Sequence, residues 1–304
     1  MREALERLPA SLAIDAAAAV VTPLDGLTNR NYRIDAERTE GGDGRYVLRL
    51  AGPGTSRYID REQEAQHARA AHAAGLAPTL LFADPDAGTM LTQYLALPAV
   101  TGEAIRADAE QQRRCALALR RLHASPPFEG RFDPFERIDR HLAVLATLDA
   151  APPAELLAVQ RDVEALHALV TTGEARSCHV DTYCENFLDD GQHTMLLDWE
   201  YAGTGDPVWD LADLSRENGL GAEADSQLLS AYADGEPAPS LQARFEAYKP
   251  LCDLFWASWC QIQVAVGNDT SNWATDSARR LAAAEASLGS AGFGALVATA
   301  TVRR

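Results

Sequence analysis

The spacing of apolar residues changes near residue 98, and this change constrains the fold more than any other feature of the chain. Before it, short segments rich in β-branched and aromatic residues alternate with turn residues, a pattern typical of antiparallel strands. These segments are AVVTPL, RNYRID, RYVLRL, TLLFAD and TMLTQYL. Between the third and the fourth, residues 56–75 have a helical composition, with Ser56 as the predicted N-cap and Gly75 as the predicted C-terminal stop.

After residue 98, apolar residues recur every three or four positions, which indicates helices. The segments with this spacing are 103–125, 135–148, 153–170 and several blocks from Pro207 to the end. The sequence therefore predicts an α+β protein with two lobes. A small antiparallel β-sheet lobe covers residues 1–95, and a larger, mainly helical lobe covers residues 96–304. A cleft between two such lobes is a usual place for a ligand.

The charge balance argues against two classes of partner. With 27 Lys and Arg against 44 Asp and Glu, the formal net charge is -17. Such a surface repels nucleic acid and anionic lipid, so we expect no nucleic-acid partner and no membrane partner. The chain has no apolar run of 18 residues, and Glu3, Glu6 and Asp15 interrupt the Ala-rich N-terminal segment, against a signal peptide. Five scattered cysteines indicate free thiols in a reducing compartment. We expect a cytoplasmic protein, and the sequence predicts no oligomeric state.

The densest group of polar residues is HVDTYCENF, which begins at His179 and is soon followed by LLDWE. The string ENFLDDGQHTMLLDWE has the pattern of a β-hairpin with a tight turn at DG. In a hairpin, the start of the first strand lies beside the end of the second, which brings Asn186 next to Asp198. Asp181 is five residues upstream in the connecting loop. The pattern therefore predicts that three oxygen-bearing side chains converge at one end of the hairpin.

Oxygen ligands of this type suit Mg²⁺, which takes few protein ligands and completes its coordination with phosphates and water. A carboxylate that the metal does not need, Asp181, can then accept a proton from a substrate hydroxyl, as in kinase-like phosphoryl transfer. Zinc prefers His and Cys, but His179, Cys178 and Cys184 lack the spacing of a four-ligand site. Two simpler interpretations stay open. The Asp and Asn residues are also common turn formers, and His179 can brace the loop by hydrogen bonding.

HVDTYCENF followed by LLDWEYAGTGDPVWDLA resembles the catalytic and metal-binding signature of the choline kinase and aminoglycoside phosphotransferase superfamily. That superfamily has a protein-kinase-like fold, and the resemblance extends from residue 20 to about 285 with several motifs in the same order. It implies that Asp181 is the catalytic base and that Asn186 and Asp198 bind Mg²⁺. The acids of GDPVWDLA, Asp206 and Asp210, are expected to brace the catalytic loop.

The nucleotide site is expected in the first lobe. DGLTNRNYRI is a candidate strand–turn–strand loop over the phosphates and resembles the nucleotide loop of choline kinases more than that of antibiotic kinases. In it, Gly26 allows close approach of the backbone, and Thr28 and Asn29 offer polar contacts. By the same resemblance, the segment between the lobes meets the adenine of ATP. Its residues are Gln93, Tyr94 and Leu95.

Arg49, in the strand RYVLRL, is the expected cation for the phosphates. An inward-pointing Arg on a strand needs a carboxylate or a phosphate, and Glu64 on the following helix is the candidate partner. RLAGPGTSRYIDREQE resembles the corresponding part of bacterial LicA-like choline kinases, where Arg replaces the usual kinase Lys. The alternative is that Arg49 is an ordinary surface residue of its strand.

A pocket for a quaternary ammonium group must use aromatic faces and carboxylates, because such a group has no N–H donor. DLFWASWCQIQ places Trp256 and Trp259 on one face of a helix, although aromatic residues at this spacing usually belong to a core. FWxxW followed by Gln resembles the choline-pocket helix of the family, which implies these two tryptophans. Glu217 matches the family's acidic residue, and Trp273 is a candidate third wall. GLGAEA follows this Glu where the family often has a Tyr.

The resemblance implies a phosphotransferase with an alcohol group as acceptor. It would use ATP and Mg²⁺ to phosphorylate a small cationic amino alcohol, choline before others. A related small-molecule kinase acting on ethanolamine, thiamine or an aminoglycoside is the first alternative. A catalytically inactive binding protein on the same scaffold and a metal-dependent hydrolase are the others.

Overall fold

Five strands near the N-terminus pair into one antiparallel sheet in the computed structural model, which describes residues 1–12, 14–36, 44–170 and 173–294. The spatial order is β1-β2-β3-β5-β4. The strands are β1 (Val20–Leu24), β2 (Arg30–Asp35), β3 (Arg45–Leu50), β4 (Leu80–Asp84) and β5 (Thr89–Gln93). Alternate residues of β3 are buried, as expected for a central strand with one face on a core. All five predicted strands are confirmed, although β5 ends before Tyr94.

A short helix, α1 (Arg2–Glu6), packs Leu5 into the small core beneath the sheet. The longer α2 (Arg61–Ala73) follows β3. Its N-cap is Asp60, whose carboxylate accepts hydrogen bonds from the backbone N–H groups of two first-turn residues. The predicted N-cap, Ser56, is therefore wrong, because this residue lies in a separate 3₁₀ turn one helical turn earlier.

The predicted end of this helix is confirmed. Gly75 has φ +70°, the left-handed conformation that glycine adopts without steric cost. Its N–H donates to the carbonyl of His72, and the N–H of Leu76 donates to the carbonyl of Ala71. These two bonds form a Schellman motif, which fixes both the end of α2 and the direction of the chain that leaves it.

Helices dominate the second lobe. They are α3 (Gly102–Ala107), α4 (Ala109–His123), α5 (Pro134–Thr147), α6 (Ala154–Glu164), α7 (His167–Val170), α8 (Val208–Asn218), α9 (Ala222–Ala233), α10 (Pro239–Ala265) and α11 (Trp273–Leu288). The 27-residue α10 is the central element, since most of its residues are buried and it packs against α5, α8 and α11. Asp108 divides the segment predicted as one helix at 103–125, because its side chain caps α4.

Two small antiparallel ladders carry the polar motifs of the second lobe. They are β6 (Arg176–Cys178) with β9 (Gly203–Gly205), and β7 (Phe187–Asp189) with β8 (Thr194–Leu196). The second ladder confirms the predicted hairpin, with Phe187 opposite Leu196. The segment between the lobes joins this hairpin, because the N–H of Val100 donates to the carbonyl of Phe187. The boundary between residues 95 and 96 stays a prediction.

All five cysteines are buried and free, as their spacing predicted. Within the ranges that the structure describes, no helix has both the length and the hydropathy needed to span a membrane.

A buried histidine between α5 and α10 makes folding depend on pH. Burial, together with the charge of Arg137, lowers the pKa of His141 to about 3, and its Nδ1 lies 2.8 Å from Ser258 Oγ. Between about pH 6.5 and pH 3 the unfolded chain binds a proton here and the folded chain does not. The folded state therefore loses stability as the pH falls through this window, by at most about 1.4 kcal/mol per pH unit.

Glutamine does not titrate, so we expect the His141→Gln variant to take up about one proton fewer on unfolding between pH 6 and pH 4. Its free energy of unfolding should therefore depend less steeply on pH than that of wild type. Urea unfolding at a series of pH values measures both slopes. Identical slopes in the two proteins would contradict the assignment of this proton to His141.

Candidate active site

The catalytic loop, residues 179–186, runs from β6 to β7 and is held by Asp210 at the start of α8. The Asp210 carboxylate accepts the backbone N–H groups of His179 at 2.7 Å and Val180 at 2.8 Å. Val180 has φ 78°, a left-handed conformation that is strained for a β-branched residue. The strain lies immediately before Asp181, so the bonds to Asp210 fix the position from which the predicted base projects.

Asp213, one helical turn later on α8, fixes the next part of the catalytic loop. Its Oδ2 accepts the N–H of Thr182 at 2.8 Å and the hydroxyl of the same residue at 2.9 Å. Its Oδ1 accepts Trp256 Nε1–H at 2.7 Å. One buried carboxylate therefore connects the catalytic loop to α10, and a shift of either element would break its hydrogen bonds.

His179 braces the loop, since its Nε2 lies 2.7 Å from the carbonyl oxygen of Leu197 and its side chain is fully buried. The expectation that Asp206 also braces the catalytic loop is wrong. Asp206 accepts hydrogen bonds from Arg244 Nε at 3.1 Å and from the Tyr248 hydroxyl at 3.0 Å, both on α10. It lies four residues before Asp210, and its carboxylate binds α10 instead of the catalytic loop.

Asn186 and Asp181 are in direct contact. The Asn186 amide donates its N–H to the backbone carbonyl of Asp181 at 3.0 Å, which leaves the amide oxygen available for a cation. Burial raises the pKa of Asp181 well above its usual value, and the negative charges of Asp198, Glu217 and Glu200 raise it further. A cation in this region would therefore be stabilised by several carboxylates at once.

Asp198 lies beyond β8 in a left-handed conformation, with φ 60°. The hairpin register sets its neighbour Leu197 against Asn186, whose carbonyl accepts the Leu197 N–H at 2.9 Å. Carboxylate oxygens of Glu64, Asp198 and Glu200 lie within 4.8 Å of one another. Asn186 thus contacts Asp181 through its side chain and the residue before Asp198 through its backbone, and Asp198 lies beside Glu200 of its own segment and Glu64 of α2.

Arg49 forms an ion pair with Glu64, the partner that the sequence indicated. A second contact joins Arg49 Nη1 to Asp198 Oδ1 at 3.1 Å, and the side chain is only 11% exposed, which excludes an ordinary surface residue. Burial disfavours the charged form of Glu64, but the positive charges of Arg49 and Arg61 outweigh this effect and lower the pKa of Glu64. Arg49 points from the sheet toward the acids of the second lobe.

The sequence analysis did not predict two of the charged residues around Arg49. Arg61 and Glu200 complete a charge cluster whose members are Arg49, Arg61, Glu64, Asp198 and Glu200. The available signals were weak. Arg61 lies three residues before Glu64 on a predicted helix, and Glu200 follows Asp198 by two residues. Either spacing is also common on solvent-exposed surfaces.

The predicted nucleotide loop has the tight backbone that its glycine suggested. A Cβ on Gly26 would lie 2.5 Å from the carbonyl oxygen of Asn29, so only glycine fits without a shift. Thr28 is half-buried, and its carbonyl oxygen packs against Gly52. The Asn29 side chain is buried and donates to Glu200 at 2.9 Å. Asn29 therefore points toward the charge cluster and not into open space.

The segment predicted to meet the adenine begins at Gln93, the last residue of β5. Gln93 is exposed and Leu95 is half-buried. Tyr94 donates its N–H to the carbonyl of Arg45, and the guanidinium of Arg33 lies 4.6 Å from the centre of its ring. The Tyr94 ring is thus already occupied by a cation on one side.

The three predicted tryptophans form a continuous aromatic row with Tyr201, in the order Tyr201, Trp256, Trp259 and Trp273. Successive ring centroids are 5.4, 5.8 and 5.1 Å apart in edge-to-face geometry. All four side chains are buried. Tyr201 was not predicted, although it directly follows LLDWE, and it supplies a tyrosine that the sequence lacks after Glu217.

Glu217 is already paired with a cation. Arg280 on α11 donates from both terminal nitrogens to its carboxylate, with Nη2 2.8 Å from Oε2. The two side chains are 9% and 14% exposed, so the pair is largely withdrawn from water. Sequence reasoning missed Arg280, which lies seven residues after Trp273 and so projects from the same face of its helix.

Comparison with known proteins agrees with this geometry. The model of the phosphotransferase enzyme family matches residues 20–245. A crystal structure of a choline/ethanolamine kinase family protein from Mesorhizobium loti is 33% identical, with a TM-score of 0.82 over 98% of this chain and 97% of that one. This chain is a member of the choline/ethanolamine kinase family of phosphotransferases. It is therefore an enzyme with a kinase-like fold that phosphorylates an alcohol group.

Proteins named LicA are also similar to this chain. LicA from Haemophilus influenzae is 26% identical over 260 residues, which cover 82% of this chain and 94% of that protein. The choline kinase LicA from Streptococcus pneumoniae has a TM-score of 0.79 at 26% identity, over 95% of this chain and 98% of that one. A LicA structure in complex with AMP has a TM-score of 0.74 at 26% identity, over 89% and 93%.

Asp210 and Asp206 offer a matched pair of variants, because both are acids that accept several hydrogen bonds. Asp210→Ala leaves the N–H groups of His179 and Val180 buried without partners, at about 1–3 kcal/mol each. We expect both Ala variants to lower the melting temperature. Only Asp210→Ala should lower kcat at least tenfold, measured where both variants are folded. Equal losses of kcat would contradict the role assigned to Asp210.

Proposed function

We propose that this protein is an ATP- and Mg²⁺-dependent kinase that transfers the γ-phosphate of ATP to the hydroxyl group of choline. The observation that carries the proposal is the position of Asp181, whose backbone carbonyl accepts a hydrogen bond from Asn186 and whose pKa is raised by burial and by the charges of Asp198, Glu217 and Glu200. A base between a phosphate site and a cation site is what transfer to a cationic alcohol requires. The choline kinase activity named for LicA from Streptococcus pneumoniae and the AMP in a LicA complex support the two substrates.

ATP would bind in the cleft between residues 1–95 and residues 96–304. Arg49 would contact its phosphates, since the Arg49–Glu64 pair corresponds to the Lys–Glu pair of kinases. Because the Asn29 side chain is turned inward, we assign the phosphate contacts of this loop to the backbone near Gly26 and Thr28. Residues 93–95, at the C-terminal end of β5, would meet the adenine. The five buried free thiols support a reducing, cytoplasmic location.

The residues present fit a magnesium ion. Asn186 and Asp198 offer an amide oxygen and a carboxylate, the ligand types that Mg²⁺ prefers. When bound, Mg²⁺ neutralises charge on the phosphate oxygens. The Asp198 carboxylate contacts Arg49 at 3.1 Å, so one side chain would be shared between the metal and the cation that holds the phosphates.

Asp181 would orient the acceptor hydroxyl and accept its proton as the bond to phosphorus forms. Burial and the charges of Asp198, Glu217 and Glu200 raise its pKa, and a higher pKa makes a carboxylate a stronger proton acceptor. The hydrogen bonds around Val180 and Thr182 hold the loop on both sides of the carboxylate, which limits the positions that it can adopt.

The aromatic row and Glu217 would bind the trimethylammonium group of choline. Aromatic faces attract a quaternary cation by about 0.5–2 kcal/mol per contact. Trp256 donates a hydrogen bond to Asp213, which lies one helical turn before Glu217 on α8. The aromatic row therefore lies close to Glu217. Ethanolamine carries N–H donors that aromatic faces satisfy poorly, so this pocket favours choline.

An assay of ADP release with Mg-ATP tests the acceptor directly. Choline, ethanolamine, thiamine and an aminoglycoside are compared at equal concentrations, and choline should have the highest kcat/KM. A higher kcat/KM for any of the other three acceptors, or no ADP release with any of the four, would overturn the proposal.

Asp181→Asn should lower kcat for choline by roughly 10²–10⁴-fold, because an amide cannot accept the hydroxyl proton. Its affinity for Mg-ATP, measured by calorimetry without acceptor, should stay within a factor of about three. Near-normal turnover in this variant would remove Asp181 from the mechanism.

Glu217→Gln should raise the KM for choline at least tenfold, because it leaves the buried Arg280 guanidinium unpaired beside the cation site. The double variant Glu217→Gln/Arg280→Met removes both charges and should recover stability, though not full choline affinity. The KM for Mg-ATP serves as the internal control and should be unchanged. A normal choline KM in the single variant would place the cation elsewhere.

A further inference from the structure

Arg61, the first residue of α2, is a buried cation that the proposed mechanism does not use. Its side chain is only 7% exposed. Nη1 donates to Glu64 Oε2 at 2.8 Å and to Glu200 Oε2 at 2.9 Å. Nη2 donates to Asn29 Oδ1 at 3.2 Å and to Thr55 Oγ1 at 2.8 Å. Four partners around one planar group are a set that Arg can satisfy and Lys, with a single nitrogen, cannot.

These partners come from distant parts of the chain. Asn29 belongs to the predicted nucleotide loop between β1 and β2, and Glu200 lies two residues after the predicted metal ligand Asp198. Asn29 also donates to Glu200 at 2.9 Å, so Arg61, Asn29 and Glu200 form a closed triangle of hydrogen bonds. The triangle joins the nucleotide loop of the first lobe to the metal-binding segment of the second.

The two arginines divide the acids of the charge cluster between them. Arg49 Nη1 is 3.1 Å from Asp198 and 3.9 Å from Glu200, whereas Arg61 Nη1 is 2.9 Å from Glu200. Both contact Glu64. Without Arg61, the buried carboxylate of Glu200 would have Arg49 as its nearest cation in the cluster. A buried carboxylate needs a cation, so Arg49 would be drawn away from the side that faces Asp198.

We propose that Arg61 is a positioning residue for the nucleotide, which it serves by fixing Asn29 against Glu200 and by leaving Arg49 to the phosphates. This inference rests on the proposed use of Mg-ATP. Arg61 acts through its neighbours and touches neither the acceptor nor the reacting atoms. Its effect should therefore appear in nucleotide affinity and not in acceptor affinity, a separation that a general loss of folding would not produce.

The test compares wild type with Arg61→Lys, Arg61→Met and Arg114→Lys. Mg-ATP binding is measured by calorimetry without acceptor, and choline binding by the fluorescence of the aromatic row. Arg61→Lys should weaken Mg-ATP binding at least tenfold, while choline affinity changes less than twofold. Arg114→Lys is the matched control, because Arg114 is also paired with a buried acid, Asp189, but lies outside the charge cluster. Its nucleotide affinity should equal that of wild type.

The double variant Arg61→Met/Glu200→Gln removes one charge of each sign, and Arg61→Lys keeps the test valid should Arg61→Met fold poorly. The double variant should bind Mg-ATP at least threefold more tightly than Arg61→Met, because Arg49 is no longer drawn to an unpaired Glu200. Three results would overturn the inference: wild-type nucleotide affinity in Arg61→Lys, equal losses of nucleotide and choline affinity, or a double variant no better than the single one.

These outcomes separate the inference from the proposed function. Wild-type protein that binds Mg-ATP but phosphorylates no choline contradicts the proposed acceptor, and the nucleotide affinities of the Arg61 variants then still decide the role of Arg61. Wild-type protein that does not bind Mg-ATP contradicts the proposed function, and the inference fails with it.

Discussion

The charge cluster between the lobes is the interaction on which the rest of the structure depends. Its three carboxylates and two guanidinium groups are mostly withdrawn from water, and buried charges are tolerated only when they are paired with good geometry. Arg49 and Glu64 come from the first lobe, whereas Asp198 and Glu200 come from the second. The lobes must therefore keep one relative position for the charges to remain paired. That position also brings the nucleotide loop over the residues that we assign to the metal.

A second constraint acts inside the larger lobe, where α8 supplies acids at successive turns. Asp210 holds the strained backbone at Val180, and Asp213 holds both Thr182 and Trp256. The residues that we propose as the base and as the acceptor pocket are thus fixed by the same helix. Both carboxylates are buried and accept several hydrogen bonds, so their contribution is geometric: they hold the catalytic loop in a conformation that its own sequence disfavours.

Much of this arrangement is predictable from local sequence. The strands, the hairpin of ENFLDDGQHTMLLDWE and the Arg49–Glu64 pair follow from short-range patterns and a family resemblance, and the structure contains all of them. The errors are also local in origin. Ser56 is a good N-cap by type, but Asp60 occupies the capping position, and the carboxylate of Asp206 turns toward α10 instead of the catalytic loop. Sequence spacing does not distinguish two acids four residues apart on one short segment.

The sequence alone determined the order of the two lobes, the polar groups of the catalytic loop and the presence of tryptophans at helical spacing. These features depend on neighbours within about ten residues, where periodicity and turn chemistry act. Only the tertiary structure decided which charges meet. Arg61 with Glu200, Arg280 with Glu217, and Tyr201 with Trp256 are pairs separated by 55 to 139 positions. Nothing in local propensity encodes such contacts, because they arise from how the helices and the sheet pack and from the need to pair every buried charge.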